Sequence, residues 1–330
     1  MTRLASTTER RVAVRPWRTR ELDDLAEAEG YDGMIASVGY EPRSHAIAEA
    51  MRERPPKAIA VEFRGQQNEQ YLESRACFDR MKFDIKQEWD ERFLPFVASW
   101  FRELDPGARV LIDISSMSRP RIASVVQALA DLEDPSAVDV DFLYAPAAYR
   151  DPGELPPGVL SLGPVIPYYA GELQNRRDPV ALVGLGYEPF KAAGALDSLE
   201  VDNAIVYIPR GFDERFYAKV LEANEGLLER HDAPQREEYL VAEPFECFAT
   251  LEGRSLALLG EGFAPAILPL GPKVFALCAT LAGAAHHPQI SVWRASFGED
   301  EEAVPHEPDG KVCGLTVSLR RAERRAGDGG

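Results

Sequence analysis

A tetrapeptide, Gly-Tyr-Glu-Pro, occurs twice in this chain, at residues 39–42 and again at residues 186–189. Each copy directly follows a short apolar run, residues 34–38 in the first case and 181–185 in the second. An alanine-containing stretch that is compatible with a helix follows each copy. An apolar strand, a turn and a helix therefore succeed one another twice, and this is typical of an internal duplication.

The sequence that follows the two tetrapeptides also repeats. In each half a predicted helix is followed by an apolar run. Further along the chain, a second apolar run is followed by a turn, a helix and another strand. The corresponding segments are 44–52 and 191–199, 58–63 and 204–208, 110–114 and 266–270, 121–132 and 274–285, and 138–144 and 289–294. Both halves end in a short β-rich segment, 158–163 and 311–317. We interpret the chain as one unit used twice.

Strands that alternate with helices predict βαβ units and a mainly parallel sheet. We therefore expect an α/β protein with two tandem Rossmann-like domains. Two similar domains joined by a short segment are expected to pack as an intramolecular pseudo-dimer. The predicted divisions are an N-terminal extension (1–32), repeat 1 (33–171), repeat 2 (178–321) and a C-terminal tail (322–330).

Composition restricts the classes of function. The chain has 330 residues, 45% of them hydrophobic, and a formal net charge of −17, which argues against an extended nucleic-acid surface. No apolar run approaches the length of a membrane span, and the first residues lack a signal-peptide core, so we expect a cytoplasmic protein without membrane contact. We interpret the arginines near each end, within 10–20 and 320–325, as solvated tails.

The cysteines and histidines do not indicate a metal site. Cys77, Cys247, Cys278 and Cys313 are far apart in sequence and form no Cys-x-x-Cys pair, so we expect buried thiols. The five histidines show no metal-ligand spacing. We expect no metal and no cofactor.

The candidate site lies where ligands bind in open α/β sheets, outside the carboxyl ends of the strands. Two polar segments fall there, and their residues are Gly39, Tyr40, Glu41 and Arg43 after the first strand, and Ser115, Ser116, Ser118, Arg119 and Arg121 after a later one. Hydroxyls, backbone N–H groups at a helix start and guanidinium groups all donate to phosphate or carboxylate. We predict an anion site, although Ser116 or Ser118 would cap the helix even without a ligand.

The tetrapeptide allows two interpretations. Gly39 permits unusual backbone angles, Tyr40 can stack on a base, and Glu41 can accept hydrogen bonds from a ribose or transfer a proton. Alternatively, Glu41 and Glu188 interact with the helix dipole, and the following prolines begin the helix. Because both halves carry the motif, the structural role has at least equal weight.

The two halves differ in the other loop residues. Phe190 stands where the first half has Arg43, and Leu-Gly-Pro-Lys at 270–273 stands in place of the serine-rich segment. If the pocket is single, we therefore expect it to be asymmetric and dominated by the first half, with Lys273 contributing across the interface.

The segment from Asp113 to Arg119, Asp-Ile-Ser-Ser-Met-Ser-Arg, resembles the corresponding loop of the nucleotide-sensing Rossmann-like domains called CARF. Those domains pair about a two-fold axis and bind cyclic oligonucleotides or related signals in prokaryotic antiviral defence. The resemblance implies a sensor or adaptor that binds a nucleotide-like anion between its halves and signals to a partner protein.

Two other functions remain open. One is a nucleotide-processing enzyme, a hydrolase, with Glu41, Glu62 or Asp113 as acid or base, although the sequence contains no phosphate-binding P-loop, catalytic triad or metal motif. The other is a non-catalytic subunit of a defence complex in which the pocket has degenerated.

Overall fold

The computed structural model describes residues 10–27, 30–63, 68–132, 138–151, 161–171, 178–201, 203–229, 234–296 and 306–321. These residues form two mainly parallel mixed sheets with helices around them, which confirms the α/β class. We call residues up to 171 the first half and residues from 178 the second half.

The first sheet has seven strands. They are β1 (Arg10–Glu21), β2 (Gly33–Val38), β3 (Lys57–Glu62), β4 (Asp84–Gln87), β5 (Ala108–Asp113), β6 (Val138–Tyr144) and β13 (Lys311–Arg321). Their order is β1-β13-β6-β5-β2-β3-β4. The strands from β6 to β4 are parallel, whereas β13 is antiparallel to β6 and β1 is antiparallel to β13.

The second sheet has six strands. They are β7 (Ser161–Pro164), β8 (Pro179–Gly184), β9 (Asn203–Arg210), β10 (Gln235–Leu240), β11 (Ala264–Pro269) and β12 (Ser291–Ser296). Their order is β10-β9-β8-β11-β12-β7, and only β7 is antiparallel to its neighbour.

Both sheets follow the same order. The first parallel strand along the chain, β2 or β8, is central, the next two extend to one side, and the fourth and fifth extend to the other side. This is the order of doubly wound sheets, and it places a topological switch point between β2 and β5 and another between β8 and β11.

The last strand of each half lies in the sheet of the other half. β7 pairs with β12 of the second sheet, and β13 pairs with β6 of the first. The predicted boundary between 171 and 178 therefore separates the parallel strands of one sheet from those of the other. It does not separate the antiparallel strands, because β7 and β13 each pair with a strand of the opposite half. Sequence similarity indicates the half of the chain to which a strand belongs. The strand with which it pairs depends instead on the path that the chain takes between the sheets.

The helices form layers around the sheets. They are α1 (Arg43–Ala50), α2 (Glu69–Arg80), α3 (Asp90–Arg102), α4 (Arg119–Ala130), α5 (Lys191–Leu199), α6 (Glu214–Ala223), α7 (Glu225–Leu228), α8 (Pro244–Gly260) and α9 (Lys273–Ala285). One hydrophobic core combines α3, α4, α8 and α9 with one face of each sheet. Separate cores lie under α1 and α2 on the first sheet and under α5, α6 and α7 on the second.

The burial of the strand β2 on both faces explains why its sequence is mainly apolar. Ile35 belongs to the shared core, whereas Met34 and Ala36 belong to the core under α1 and α2. All six residues of β2 are buried, as expected for a parallel strand covered on both faces.

The arginine-rich segment near the start is not a solvated tail. Residues 10–21 form β1, which pairs along its length with β13, so the basic residues at the two ends of the chain lie in neighbouring strands. Trp17 is buried and Val14 packs against the shared core, and these contacts hold the strand in place. A 3-10 helix, Asp23–Glu27, follows β1. Arg324 and Arg325 lie outside the described residues.

All four cysteines are buried and unpaired, as predicted. None of the helices in the described part of the chain has the length and apolarity that a bilayer crossing requires.

Candidate functional site

The loops that were predicted to bind an anion meet at the switch point of the first sheet. Residues 39–42 follow β2 and residues 114–118 follow β5, and these strands are neighbours although their connections run to opposite sides. The two loops therefore lie side by side at the carboxyl edge.

Gly39 allows this close approach. A Cβ atom at this position would lie 2.7 Å from Cβ of Ser116 and 2.9 Å from Cβ of Ser44. In the second half, a Cβ atom on Gly186 would lie 2.8 Å from the carbonyl oxygen of Leu270. The repeated glycine thus serves the same contact in both halves, between the loops after the first and fourth parallel strands.

Glu41 is the centre of a polar network. Its carboxylate lies 2.9 Å from Nε of Arg43, accepts a hydrogen bond from Oγ of Ser116 at 2.9 Å, and lies 3.9 Å from Nζ of Lys273. Burial by itself would raise the pKa of Glu41, but the charges of Arg43 and Lys273 and the hydrogen bonds outweigh it and lower the pKa. The carboxylate is ionised at neutral pH and is poorly suited to act as a general acid.

Two basic residues connect the halves. Nη2 of Arg119, at the start of α4, donates to the carbonyl oxygens of Leu270 at 3.0 Å and Gly271 at 2.7 Å. Nζ of Lys273, at the start of α9, donates to the carbonyl oxygen of Ser115 at 2.7 Å. The arrangement is reciprocal, because each cation reaches the loop of the opposite half.

Burial lowers the pKa of Lys273 to about 7, an effect that Glu41 and Asp113 oppose and that Arg43 and Arg119 reinforce. The side chain is 22% exposed, so it remains accessible to a ligand. An anion that binds beside it would favour the protonated form.

Most of the predicted ligand-binding residues line one cavity of ≈ 460 Å³, which we call the first cleft. The predicted members are Gly39, Tyr40, Glu41, Ser116, Ser118, Arg119 and Lys273. Phe63 also lines it, together with Lys191 and Arg294, which sequence reasoning missed. Four cationic side chains and one carboxylate therefore surround a cavity whose wall includes the ring of Tyr40.

Tyr40 lies over an aromatic cluster. Its ring centroid is 5.4 Å from that of Tyr71 and 6.3 Å from that of Phe63. Ser118 caps α4 by accepting from the backbone N–H of Arg121, so the structural role proposed for this serine is present. Helix capping and ligand binding are compatible roles for Ser118, because this residue also lines the cleft.

Three predicted ligand-binding residues do not line the first cleft. Ser115 is buried, and its Oγ accepts from the backbone N–H of Ala145. Arg43 is also buried and, besides its pairing with Glu41, donates to the hydroxyl of Tyr144 and the carbonyl of Ala145, both at 3.3 Å.

Arg121 is a structural residue. It is 1% exposed, pairs with Asp90 at 2.8 Å, and donates to the carbonyl oxygens of Glu62 and Glu88. Its guanidinium also lies 4.1 Å from the ring centroid of Phe63. The helix turns this arginine away from the cleft, although only one residue separates it from Arg119.

The other candidate acids are also outside the first cleft. Glu62 is buried and pairs with Arg75 at 2.8 Å. Asp113 is 1% exposed; its Oδ1 accepts from the backbone N–H of Ser115, and its Oδ2 has no partner among the described residues. Burial raises the pKa of Asp113 to about 6. Neither carboxylate is placed to contact a ligand in the cleft.

A second cleft of ≈ 190 Å³ lies beyond Arg119 and Lys273, at the carboxyl ends of β8, β9 and β11. Its apolar and aromatic lining includes Tyr187, Pro209, Phe212, Phe216, Val220, Val241 and Pro272. Its polar lining includes Arg43, Arg119, Glu188, Asp213, Lys273, His306 and Asp309. The described residues thus form two clefts, and sequence reasoning did not address the second. The segment Gly-Phe-Asp at 211–213, directly after an apolar strand, is the sequence signal that could have indicated it.

One group of potential metal ligands occurs among the described residues. The ligand atoms of His45, Glu49 and Cys77 lie within 4.8 Å of one another. The thiol of Cys77 donates to Glu49, and burial raises its pKa to about 12, so it is protonated at neutral pH. The expectation of no metal stays a prediction.

Comparison with known proteins gives no family for this chain. No family model matches, and no curated protein matches. Among solved structures, the leucoanthocyanidin reductase–NADPH binary complex from Vitis vinifera matches at 11% identity and a TM-score of 0.22, over 79% of this chain and 92% of that chain. Similarity at this level carries no argument about fold or function.

Proposed function

We propose that this protein is a nucleotide-type ligand sensor or adaptor of a prokaryotic antiviral defence system, acting in the cytoplasm. In this proposal its halves are tandem Rossmann-like repeats that form an intramolecular pseudo-dimer. The ligand binds through an anionic group in the first cleft, and the protein signals to a protein partner. The resemblance of residues 113–119 to CARF loops motivates the biological setting.

The observation that carries the proposal is the position of Arg119 and Lys273. Both line the first cleft, and both donate to backbone carbonyls of the opposite half. A ligand anion competes with those neutral carbonyls for the two cations, because hydrogen bonds between charged groups are stronger. Binding therefore loosens one set of contacts between the halves, and a change in that interface is a signal that a partner can detect.

The matching strand order of the two sheets supports the duplication, and the shared core formed by α3, α4, α8 and α9 supports the pseudo-dimer. The buried positions of Glu62 and Asp113 favour binding over acid–base catalysis.

The test is calorimetric titration of the purified full chain with a panel of nucleotides. We expect Arg119→Ala to abolish binding without unfolding the chain, and Arg52→Ala, at an exposed position outside both clefts, to leave it unchanged. Retained binding in Arg119→Ala would overturn the site. A wild-type chain that binds no nucleotide but co-purifies with a protein would favour the non-catalytic subunit.

A further inference from the structure

The second cleft differs chemically from the first. Its residues Tyr187, Phe212 and Phe216 are aromatic, and Val220 and Val241 are aliphatic. Ligand sites that combine such a lining with a few polar groups hold flat apolar rings and orient them by hydrogen bonds. The first cleft, by contrast, is rich in cations and hydroxyls.

The two clefts are adjacent at Arg119 and Lys273, which line both of them. Nε of Arg119 is buried and has no hydrogen-bond partner among the described residues. An anion held by these two side chains therefore lies at the boundary of the second cleft, within reach of a group bound in it.

Phe212 combines a position in the lining of the second cleft with partial exposure to solvent. Its side chain is 38% exposed although it lines the second cleft. Phe216 beside it is held by Tyr149, at a centroid distance of 5.1 Å, and by Tyr187, at 6.3 Å with 28° between the ring planes. A planar ring in the cleft would cover the exposed face of Phe212 and gain stacking and burial energy.

His306 supplies a polar contact in the same cavity. Its Nδ1 is buried without a partner among the described residues, and burial lowers the pKa of the imidazole, so the ring is neutral at physiological pH. A neutral imidazole both donates and accepts hydrogen bonds, as the edge of a nucleobase requires.

We propose that the second cleft is the subsite for the aromatic base of a ligand the size of a single nucleotide, whose phosphate lies between Arg119 and Lys273. This inference rests on the proposed function and adds the ligand's orientation, with its base toward Phe212 and His306 rather than on Tyr40. The volume of ≈ 190 Å³ is below the range of about 300–1,000 Å³ typical of pockets for drug-sized molecules, so the cavity suits one ring system.

The experiment measures the base and the phosphate separately. The full chain is titrated calorimetrically with ribose 5-phosphate and with the 5′-monophosphates of adenosine, guanosine, cytidine and uridine. We expect at least one nucleotide to bind about tenfold or more tightly than ribose 5-phosphate, since stacking of one base has that value. Phe212→Ala should remove most of this difference and leave the affinity for ribose 5-phosphate unchanged.

Two controls separate the possible failures. Leu256→Ala removes a similarly exposed apolar side chain outside both clefts and should change neither affinity. Binding of ribose 5-phosphate that Arg119→Ala abolishes would support the proposed function. If, in addition, the preference for a base survives Phe212→Ala or is lost in Tyr40→Leu, the proposed subsite is wrong and the proposed function stands. If wild-type protein binds none of these probes, the subsite and the nucleotide-binding function both fail.

Discussion

Arg119 and Lys273 begin α4 and α9, the helices that follow the fourth parallel strand of each sheet, and each donates to a backbone carbonyl in the other half. The two residues thus occupy corresponding positions in the two halves, and each donates to the loop that precedes the other's helix. Because hydrogen bonds from a charged donor stabilise proteins more than neutral ones, this pair contributes to the cohesion of the halves as well as to the site.

Replacing Arg119 by methionine removes its bonds to Leu270 and Gly271 and keeps an unbranched apolar stem. We expect the free energy of unfolding to fall by about 1–3 kcal/mol, measured by urea denaturation. Arg294→Met is the matched control, since Arg294 is exposed and lines the same cleft. Equal effects of the two substitutions would contradict a structural role for the Arg119 contacts.

Adding a methyl group at Gly39 tests the contact between the two loops. A Cβ atom there would overlap Ser116, so we expect Gly39→Ala to destabilise the protein by about 1–3 kcal/mol. Gly30→Ala, with no atom within 4 Å of the added carbon, should have little effect. The double variant Gly39→Ala/Ser116→Gly should recover part of the loss; a purely additive result would show that the overlap with Ser116 is not the cause.

Asp113 predicts a pH dependence of stability. Its pKa rises from 3.8 to about 6 on folding because the carboxyl is buried, so the folded state holds the proton more tightly than the unfolded state. This difference in proton affinity therefore stabilises the folded state below about pH 4, and the stabilisation is lost as the pH rises through about 6.

Substitution by asparagine removes this titration. The advantage of Asp113→Asn over wild type in unfolding free energy should grow by about 2 kcal/mol between pH 4 and pH 6 and level off by about pH 7. Chemical denaturation across this pH range measures it. A constant difference between the two proteins would mean that Asp113 does not titrate there.

Lys273 predicts a pH dependence of anion binding. With a pKa of about 7 in the free protein, the amine loses its charge as the pH rises above neutrality, so the affinity for an anion should fall. Lys273→Arg keeps the charge and should flatten the profile between pH 7 and pH 9. Titration with sulfate, whose own charge is constant in this range, measures the effect; identical profiles for the two proteins would exclude Lys273 as the titrating group.

The exchanged strands predict that the halves depend on each other. Fragment 1–171 lacks β13, which lies between β1 and β6, and fragment 178–330 lacks the edge strand β7; each fragment also exposes one side of the shared core. We expect them to be insoluble or unfolded when expressed separately and to co-purify in equal amounts when expressed together. A cooperative unfolding transition in either isolated fragment would contradict this mutual dependence.

Most of the parallel strands were predictable because an apolar run is a local signal, whereas β4 and β10, which contain exposed residues, were not assigned from the sequence. Residues 138–144 and 191–199 are assigned by the sequence to the same elements, with the same bounds, that the structure shows. The first cleft was predictable for the same reason, since Gly39, Ser116 and Arg119 follow apolar strands whose carboxyl ends meet in any parallel sheet.

The amino-acid sequence by itself therefore determined the α/β class and the polar loops, both of which depend on contacts between residues close in the chain. Tertiary structure alone decided that β7 and β13 exchange sheets and that Arg121 is turned into the interior while Arg119 faces the cleft. It also placed Phe212 and His306 in one cavity. Those outcomes depend on the path of the chain between distant segments and on helix rotation against a packed core, which no local pattern records.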